Sequence, residues 1–405
     1  GRESSNQYDV IVVGAGMIGA AMACLLAKQS RDYQSGPLKI ALVEARPAPE
    51  FNTERFDPRV AALTEKSRQL MERCGVWDAT AAKRVNPYLA MEVWDAEGTG
   101  RIQFDCHDIH QPCLGHIVEN SALVEALLTE IAEAGSVDMF CPSLIADYGN
   151  TDQGISIELQ DGTHLSGDLL VAADGANSAI RKHFIFETVE WDYGHQAIVT
   201  TIRTEQPNQQ TAWQRFMPTG PLALLPLNNQ GDQHHCSIVW SQKTELAEGL
   251  VALDDQQFCA ELSRASEHCL GQVVEVEQRF SIPLRQRHAK DYVIPRVVLV
   301  GDAAHSIHPL AGQGANLGFS DIDVLAEEIA RAVERDIDLG DLSVLKRYQR
   351  RRKPENLATM AAMEGFKRLF AADPPAVRLL RNMGMSTLNE ISPVKNQLIK
   401  IAMGL

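Results

Sequence analysis

No two cysteines in this chain are spaced as Cys-x-x-Cys or Cys-x-x-x-x-Cys, which argues against a redox dithiol and against a disulfide reductase on a dinucleotide scaffold. The cysteines (24, 74, 106, 113, 141, 236, 259 and 269) are scattered, as in a reducing compartment, and most read as buried, inert thiols. Positive charge is scarce as well. A formal net charge of −15 repels phosphate backbones and leaves no counterion-release term to drive nucleic-acid binding. The sequence also has no serine nucleophile elbow, no metal-ligand cluster, no internal repeat and no low-complexity tract. A basic flank before the first apolar run is missing too. Val10 to Ala27 carries no charge and approaches the length of a spanning helix or signal core. Glu3 and Asp9 precede it, however, and Gly14, Gly16 and Gly19 interrupt it, so it reads as strand, turn and helix. The opening Gly1-Arg2, without an initiator methionine, reads as a trimmed start.

What is present is a long, apolar chain. With 405 residues and 45% hydrophobic content, two domains are expected, because single cores stop growing near about 250–300 residues. The run "YDVIVVGAGMIGAAMACLLA" places an apolar strand before Gly14-x-Gly16-x-x-Gly19 and small residues at helical spacing after it. In such a turn the first glycine makes the bend, the second admits a pyrophosphate, and the third lets helix and strand pack closely. The helix amino terminus then faces the anion. A second strand, "KIALVEARP", ends in Glu44, whose carboxylate suits a ribose hydroxyl and disfavours a 2′-phosphate. The loop "RDYQSGP" accounts for its late position.

Two further stretches separate FAD from NAD. Val297 to Val300 reads as a strand closed by Gly301-Asp302, and Gly312 to Gly318 opens another helix whose first amides are unpaired. Asp302 suits the ribityl hydroxyls of a flavin, and the helix end near Gly314, Ala315 and Asn316 supplies positive potential where reduced flavin is negative. NAD has no such middle section. In "LLVAADGANSAIRK" a strand ends at Asp174-Gly175 and a helix begins over Ala176 to Arg181. On its own, Asp-Gly is an ordinary turn.

Together, "GAGMIG", "DGANSAIR" and "GDAAHSIHPLAGQGANLG" resemble the single-component FAD-dependent aromatic hydroxylases built like p-hydroxybenzoate hydroxylase. More closely, "GHIVENSALVEALL", "WDY", "GPLALLPL" and "HPLAGQGANLGFSD" resemble the ubiquinone-biosynthesis hydroxylase family, over the chain from about Tyr8 to its end. The resemblance implies an α/β fold: a Rossmann-like FAD-binding domain, an inserted antiparallel β-sheet substrate domain and a C-terminal helical segment. The expected boundaries are 1–85, 106–188 and 290–354 for the first, 86–105 and 189–289 for the second, and 355–405 for the third. By motif match, Gly14, Gly16, Gly19 and Glu44 fall on the ADP-binding positions, Arg59 of "DPRVAAL" on the arginine that reaches the cofactor early in the chain, and Asp174 and Gly175 on the second motif. Gly301, Asp302, Pro309, Gly312, Gln313, Gly314, Ala315 and Asn316 fall on the flavin half.

The implied reaction is hydroxylation of a polyprenylated phenol or quinol ring through a flavin C4a-hydroperoxide, with O2 as co-substrate. The cofactor carries the hard chemistry. Of the histidines, His308 is the candidate to hydrogen-bond the substrate oxygen or tune the flavin, against a reading in which it satisfies loop carbonyls; for His305 the loop-carbonyl reading is favoured. His234 and His235 sit on one strand and point to opposite faces, so they do not chelate together. No second Gly-x-Gly-x-x-Gly follows a strand, so electrons come from transiently bound NAD(P)H or from a reductase protein.

Between the flavin motifs, "QAIVTTIRTE", "PLALLPL" and "HHCSIVWS" read as strands, and Pro87 to Asp105 as an addition to their sheet. The run "KRYQRRRKP" reads as a solvated helix end, with an anionic membrane or partner contact as the alternative. Beyond it, Met360, Met363, Phe366, Leu369 and Phe370 share helical spacing, as core or as the exit for an isoprenoid tail. The expected partners are a hydrophobic prenylated aromatic, other ubiquinone-biosynthesis proteins, the membrane surface and a second copy of the chain; the expected location is the cytoplasm, peripheral to the inner membrane. Two other classes stay open: another FAD oxidoreductase of this fold, although a halogenase's tryptophan-rich segment is missing, and a flavin-binding scaffold without turnover.

Overall fold

A computed structural model describes residues 6–95, 101–307 and 314–371, the side chains of 95 and 362–371 excepted. The expected sites His308, Pro309, Gly312 and Gln313 therefore lie outside the described residues.

The first strand, Gln7–Val13, is apolar on both faces and lies inside a parallel sheet. Its neighbours are Ile40–Val43 on one side and His164–Ala172 on the other, with Val137–Phe140 and Val297–Leu299 next outward. Strands buried on both faces read as continuous Val/Ile/Leu runs rather than as alternations. Val10, Ile11 and Val12 are all fully buried. Helices Met17–Gln29, Asn120–Ala134 and Gly314–Glu334 complete that core. An antiparallel ribbon, Ile145–Thr151 and Gly154–Leu159, extends the first half of His164–Ala172.

Among the described residues a second sheet of nine strands is built on Thr188–Thr204, which pairs with Asp232–Lys243 on one edge and Phe280–Ala289 on the other. Gly220–Asn229 and Thr211–Met217 continue it, followed by Ala90–Asp95 and Arg101–Asp105. The three strands read from sequence are present. Thr211–Met217 and Phe280–Ala289 were not anticipated, and Thr211–Met217 runs parallel to Ala90–Asp95, so the sheet is not wholly antiparallel. Helices Thr244–Ala252 and Asp255–Ala265 cover one face, with Phe258 and Leu262 buried against Ile238 and Trp240. A small antiparallel sheet (Val60–Leu63, Gly115–Glu119, Val85–Tyr88) lies against the other, where Ala62, Tyr88 and Ile117 join Phe216, Leu225 and Leu227 in one apolar cluster.

One segment joins the two large sheets. Val297–Leu299 belongs to the first, and a few residues later His305–Ser306 pairs with Arg287 and His288 in the second. Gly301–Ala303 makes the crossing as a single 3-10 turn.

The last described helix, Leu342–Ala371, departs from expectation because it continues through Pro354. The basic run is therefore mid-helix, and most of it is spent internally. Arg347 and Arg351 pair with the buried Glu328, and Arg351 also with Glu327. Arg352 is in the core, and Lys353 donates to the Lys290 carbonyl. The expected boundary at 354–355 falls inside this helix. Met360 is buried, and the side chains of Met363, Phe366, Leu369 and Phe370 lie outside the described residues.

The tightest packing is at Gly19, where a Cβ would stand 1.6 Å from the Gly14 carbonyl oxygen. Replacing Gly19 by alanine forces helix Met17–Gln29 off the strand, and equilibrium denaturation is expected to show a loss of about 3 kcal/mol or more. An unchanged unfolding midpoint would refute this close approach.

Candidate active site

Gly14 turns the chain at φ +100°, and an added Cβ there would meet the Ala173 carbonyl oxygen at 2.2 Å. Gly16 is different. Its φ of −73° suits any residue, and nothing lies within 4 Å of where its Cβ would be. The fold does not need glycine there; a ligand approaching the backbone does. Gly16 also caps helix Met17–Gln29, whose amino end has neither a side-chain cap nor an acid in its first turn. Those unpaired amides and the helix dipole suit a pyrophosphate. Glu44 follows strand Ile40–Val43, and its half-buried carboxylate accepts the adjacent Ala45 N–H at 3.1 Å.

Arg59 is exposed where the chain enters Val60–Leu63, its N–H held by Asp57 at 2.9 Å. The loop before it is organised by Arg84. That buried guanidinium pairs with Glu119 at 2.7 Å, donates to the carbonyls of Asn52, Thr53 and Arg55, and lies 4.2 Å from the Phe56 ring centroid. None of this was read from sequence.

Asp174 faces its own turn: it accepts the Ser178 hydroxyl and the Ile180 N–H, and burial raises its carboxyl above the usual range. The helix expected over Ala176 to Arg181 begins later, as Ala179–His183, because Ser178 caps it through the Arg181 N–H. Gly175 turns at φ +83° with open space beside it. Arg181 is buried and reaches the carbonyls of Ala303 at 3.0 Å and Ala176 at 2.6 Å, tying the second motif to the third. Burial, with Arg287 nearby, lowers its pKa.

Gly301 is left-handed at φ +61°. The Asp302 side chain reaches solvent, yet the surrounding protein desolvates it and raises its pKa, as for a carboxyl on the floor of a cleft. Gly314, Ala315 and Asn316 open helix Gly314–Glu334, which has no acid in its first turn. The Asn316 side chain grips a neighbour: its Oδ1 accepts from the Thr64 N–H at 3.1 Å and the Ser67 hydroxyl at 2.7 Å, and its Nδ2 donates to the Ala62 carbonyl at 2.8 Å. His305 also differs from expectation. Its Nε2 lies 2.6 Å from the Asp321 carboxylate, not on a loop carbonyl. Away from this region, His234 contacts the Thr204 carbonyl and His235 lies beside Asp232 and Phe56. Among the described residues one trio has metal-type donors, Asp105, Cys106 and His107; Asp105 caps the adjoining turn through the His107 N–H.

Three segments distant in sequence thus end at one junction: the uncapped amino end of helix Met17–Gln29, the Asp174-Gly175 turn and the solvent-reaching Asp302 beside helix Gly314–Glu334. The open approach at Gly16 and the solvent-facing Asp302 fit an elongated dinucleotide with a hydroxylated middle, as in FAD. The fold itself is that of flavoprotein monooxygenases. It matches a probable FAD-dependent monooxygenase, PqsL, from Pseudomonas aeruginosa (TM-score 0.75, 21% identity, 90% of this chain and 97% of that one). It also matches the p-nitrophenol 4-monooxygenase PnpA from Pseudomonas putida (TM-score 0.78, 17% identity, 97% of each). The FAD binding domain family model matches residues 7–362, and the chain belongs to that family. Curated relatives include a mitochondrial ubiquinone biosynthesis monooxygenase, COQ6, of Xenopus tropicalis (36% identical, over 98% of this chain and 93% of that one). Another is the 3-demethoxyubiquinol 3-hydroxylase of Escherichia coli (34% identical, over 98% of each). Among the described residues no helix is long and apolar enough to cross a membrane.

Two measurements test the site. Gly16→Val is expected to fold with a stability within about 1 kcal/mol of the parent, since a non-polar N-cap costs little more, yet to purify colourless; a yellow variant refutes the approach through Gly16. His288, buried on Tyr292 at 2.7 Å, has its pKa pushed down to about 4 by burial and by His305 and Lys353. Between that value and its ordinary one near about 6.5, only the unfolded chain takes up the proton, so stability falls as pH drops through the window. The loss is about 3 kcal/mol. Unfolding free energies of the parent and His288→Gln should converge by about that amount between pH 7 and pH 4; parallel pH profiles would refute it.

Proposed function

We propose that the protein hydroxylates the aromatic ring of a polyprenylated phenol or quinol, a step of ubiquinone biosynthesis. The observation that carries this is the crossing of Val297–Ser306 from the cofactor sheet to the second sheet, which sets Asp302 and the start of helix Gly314–Glu334 at their junction. A ring held there by the second sheet lies against the flavin end of the cofactor. Relatives at 36% and 34% identity along nearly the whole chain are named for ubiquinone biosynthesis and for 3-hydroxylation of demethoxyubiquinol.

In this reading Gly14, Gly16 and the amides of helix Met17–Gln29 hold the pyrophosphate, Glu44 the ribose and Asp302 the ribityl chain. Arg59 and the Asp174-Gly175 turn flank the cofactor, and Gly19 serves packing. Gly301, Gly314, Ala315 and the backbone of Asn316 support the flavin ring, with Pro309, Gly312 and Gln313 completing that wall by motif match. When bound and reduced, FAD supplies the activation of O2 for transfer to carbon. The chain's own tasks are to hold the ring, exclude water and place positive potential. His308 would donate a hydrogen bond to the phenol oxygen. The apolar cluster of Ala62, Tyr88, Phe216 and Leu225 beside Asn316 suits an uncharged ring, and a long tail would leave toward a membrane surface. Electrons come from NAD(P)H or a reductase protein.

The purified protein is expected to be yellow and to release FAD on denaturation. After anaerobic reduction, an oxygen pulse with a prenylated phenol should give the hydroxylated ring. Peroxide release with no product across a series of such phenols overturns the reading and leaves a flavin scaffold or another oxidoreductase.

A further inference from the structure

Asp321 is a fully buried carboxylate on helix Gly314–Glu334, flanked on the same apolar face by Gly318, Phe319, Ile322 and Leu325. The helix passes directly over Gly301, since a Cβ on Gly318 would stand 3.3 Å from the Gly301 Cα. One turn further on, Asp321 gathers donors from two other segments. Its Oδ2 accepts the Gly301 N–H at 2.9 Å and lies 2.6 Å from His305 Nε2. Its Oδ1 accepts from Arg352 Nε at 2.8 Å and Asn356 Nδ2 at 3.3 Å, both on helix Leu342–Ala371. The network runs on, because Arg352 also donates to Asn356 Oδ1, and Asn356 to the Tyr292 hydroxyl, which meets His288. From the same helix the Tyr348 hydroxyl donates to the Leu299 carbonyl at 2.8 Å.

Sealing two helices together needs no ions; apolar side chains of similar volume do it at least as well. What an ion cluster adds is direction. Asp321 Oδ2 is held by Gly301 and His305, which stand on either side of Asp302, and Oδ1 by Arg352 and Asn356 of the carboxyl-terminal helix. Gly301 is left-handed and has no side chain, so its N–H is the point at which this turn is gripped.

We propose that Asp321 and Arg352 are positioning residues for the cofactor: they fix the Gly301–Asp302 turn at the flavin, and they make helix Leu342–Ala371 a working part of the flavin site. This rests on the placing of FAD against Asp302 above. The carboxylate acts through the turn and touches neither substrate nor cofactor.

The test compares Asp321→Asn, Arg352→Lys, Asp302→Asn and Arg351→Ala in the full chain. Arg352→Lys keeps the charge but loses the fork that bonds Asp321 and Asn356 together. Its FAD dissociation constant is expected to rise about tenfold, with more peroxide released per reductant by the flavin still bound and a shifted flavin midpoint potential. Arg351→Ala, which removes from the same helix a half-exposed partner of Glu327 and of the buried Glu328 while Arg347 stays on Glu328, should leave all three at parental values. Asp321→Asn should exceed Arg352→Lys; if it does not fold, Arg352→Lys decides. Parental affinity and potential in Arg352→Lys beside a weakened Asp302→Asn overturn the positioning role alone. So does an equal effect of Arg351→Ala, which would mean that helix docking is all that matters. Parental affinity in Asp302→Asn overturns the placing of the cofactor and the inference with it.

Discussion

The architecture depends on an approach of backbone to backbone that leaves no room for a methyl group. Gly14 and Gly19 face each other across the first turn, and Gly14 in turn meets the Ala173 carbonyl at the end of a neighbouring strand. Three chain segments thereby converge within one turn of the amino end of helix Met17–Gln29. Bare backbone there has two consequences. It leaves the amides of the helix start unpaired, and it brings the backbone before the Asp174-Gly175 turn against Gly14, where an added Cβ would lie 2.9 Å from the Asp174 nitrogen. On the far side, where helix Gly314–Glu334 crosses Gly301, Gly318 makes room chiefly for the Ile18 side chain, with the Gly301 Cα 3.3 Å from where its Cβ would be.

Around this frame, charged side chains are used to hold segments in place. Arg84 with Glu119 organises the loop that delivers Arg59, Arg181 bonds two carbonyls of different motifs, and Asp321 with Arg352 joins a turn to a helix. Each is nearly or fully buried, and burying such groups unpaired would cost several kcal/mol. Each therefore has hydrogen-bond partners within the protein. The same economy explains Pro354. A proline inside a helix costs about 3 kcal/mol, and here Arg352 and Asn356 bracket it with buried bonds to Asp321 that offset the missing N–H.

The parts visible in the sequence are those set by local physics. Strand, glycine turn and helix over Tyr8 to Ala27, the acid closing "KIALVE", and the strand before Gly301 each show within a few residues, because periodicity and left-handed turns are local. Thr211–Met217 was invisible for the opposite reason: with both faces covered, Gln214 is as buried as Trp213 and no alternation survives. Motif matching placed Asn316 at the cofactor but said nothing of its direction, and its amide turns to strand Val60–Leu63. Asp321 did carry a signal. An acid on the apolar stripe of a helix is buried only with partners, yet those partners come from Gly301, His305, Arg352 and Asn356, whose proximity only the folded chain reveals.

Electrostatics closes the account of how so acidic a chain holds an anionic cofactor. Acids usually favour helix amino ends, because they neutralise the dipole there. Helices Glu65–Arg73, Trp77–Lys83, Thr244–Ala252 and Asp255–Ala265 each carry one in the first turn, and Asn120–Ala134 borrows Asp57 through the Ser121 N–H. Met17–Gln29 and Gly314–Glu334, the two helices that point into the junction, carry none. Against a net charge of −15, keeping acids out of these two turns leaves positive potential at the two helix ends to which the proposed site assigns the pyrophosphate and the flavin. That potential comes from main-chain amides rather than lysines or arginines, so it is fixed in direction by the packing at Gly19 and Gly318. A close-packed backbone and an electropositive site are in this protein one feature: loosening either helix would misdirect the amides on which anion binding depends.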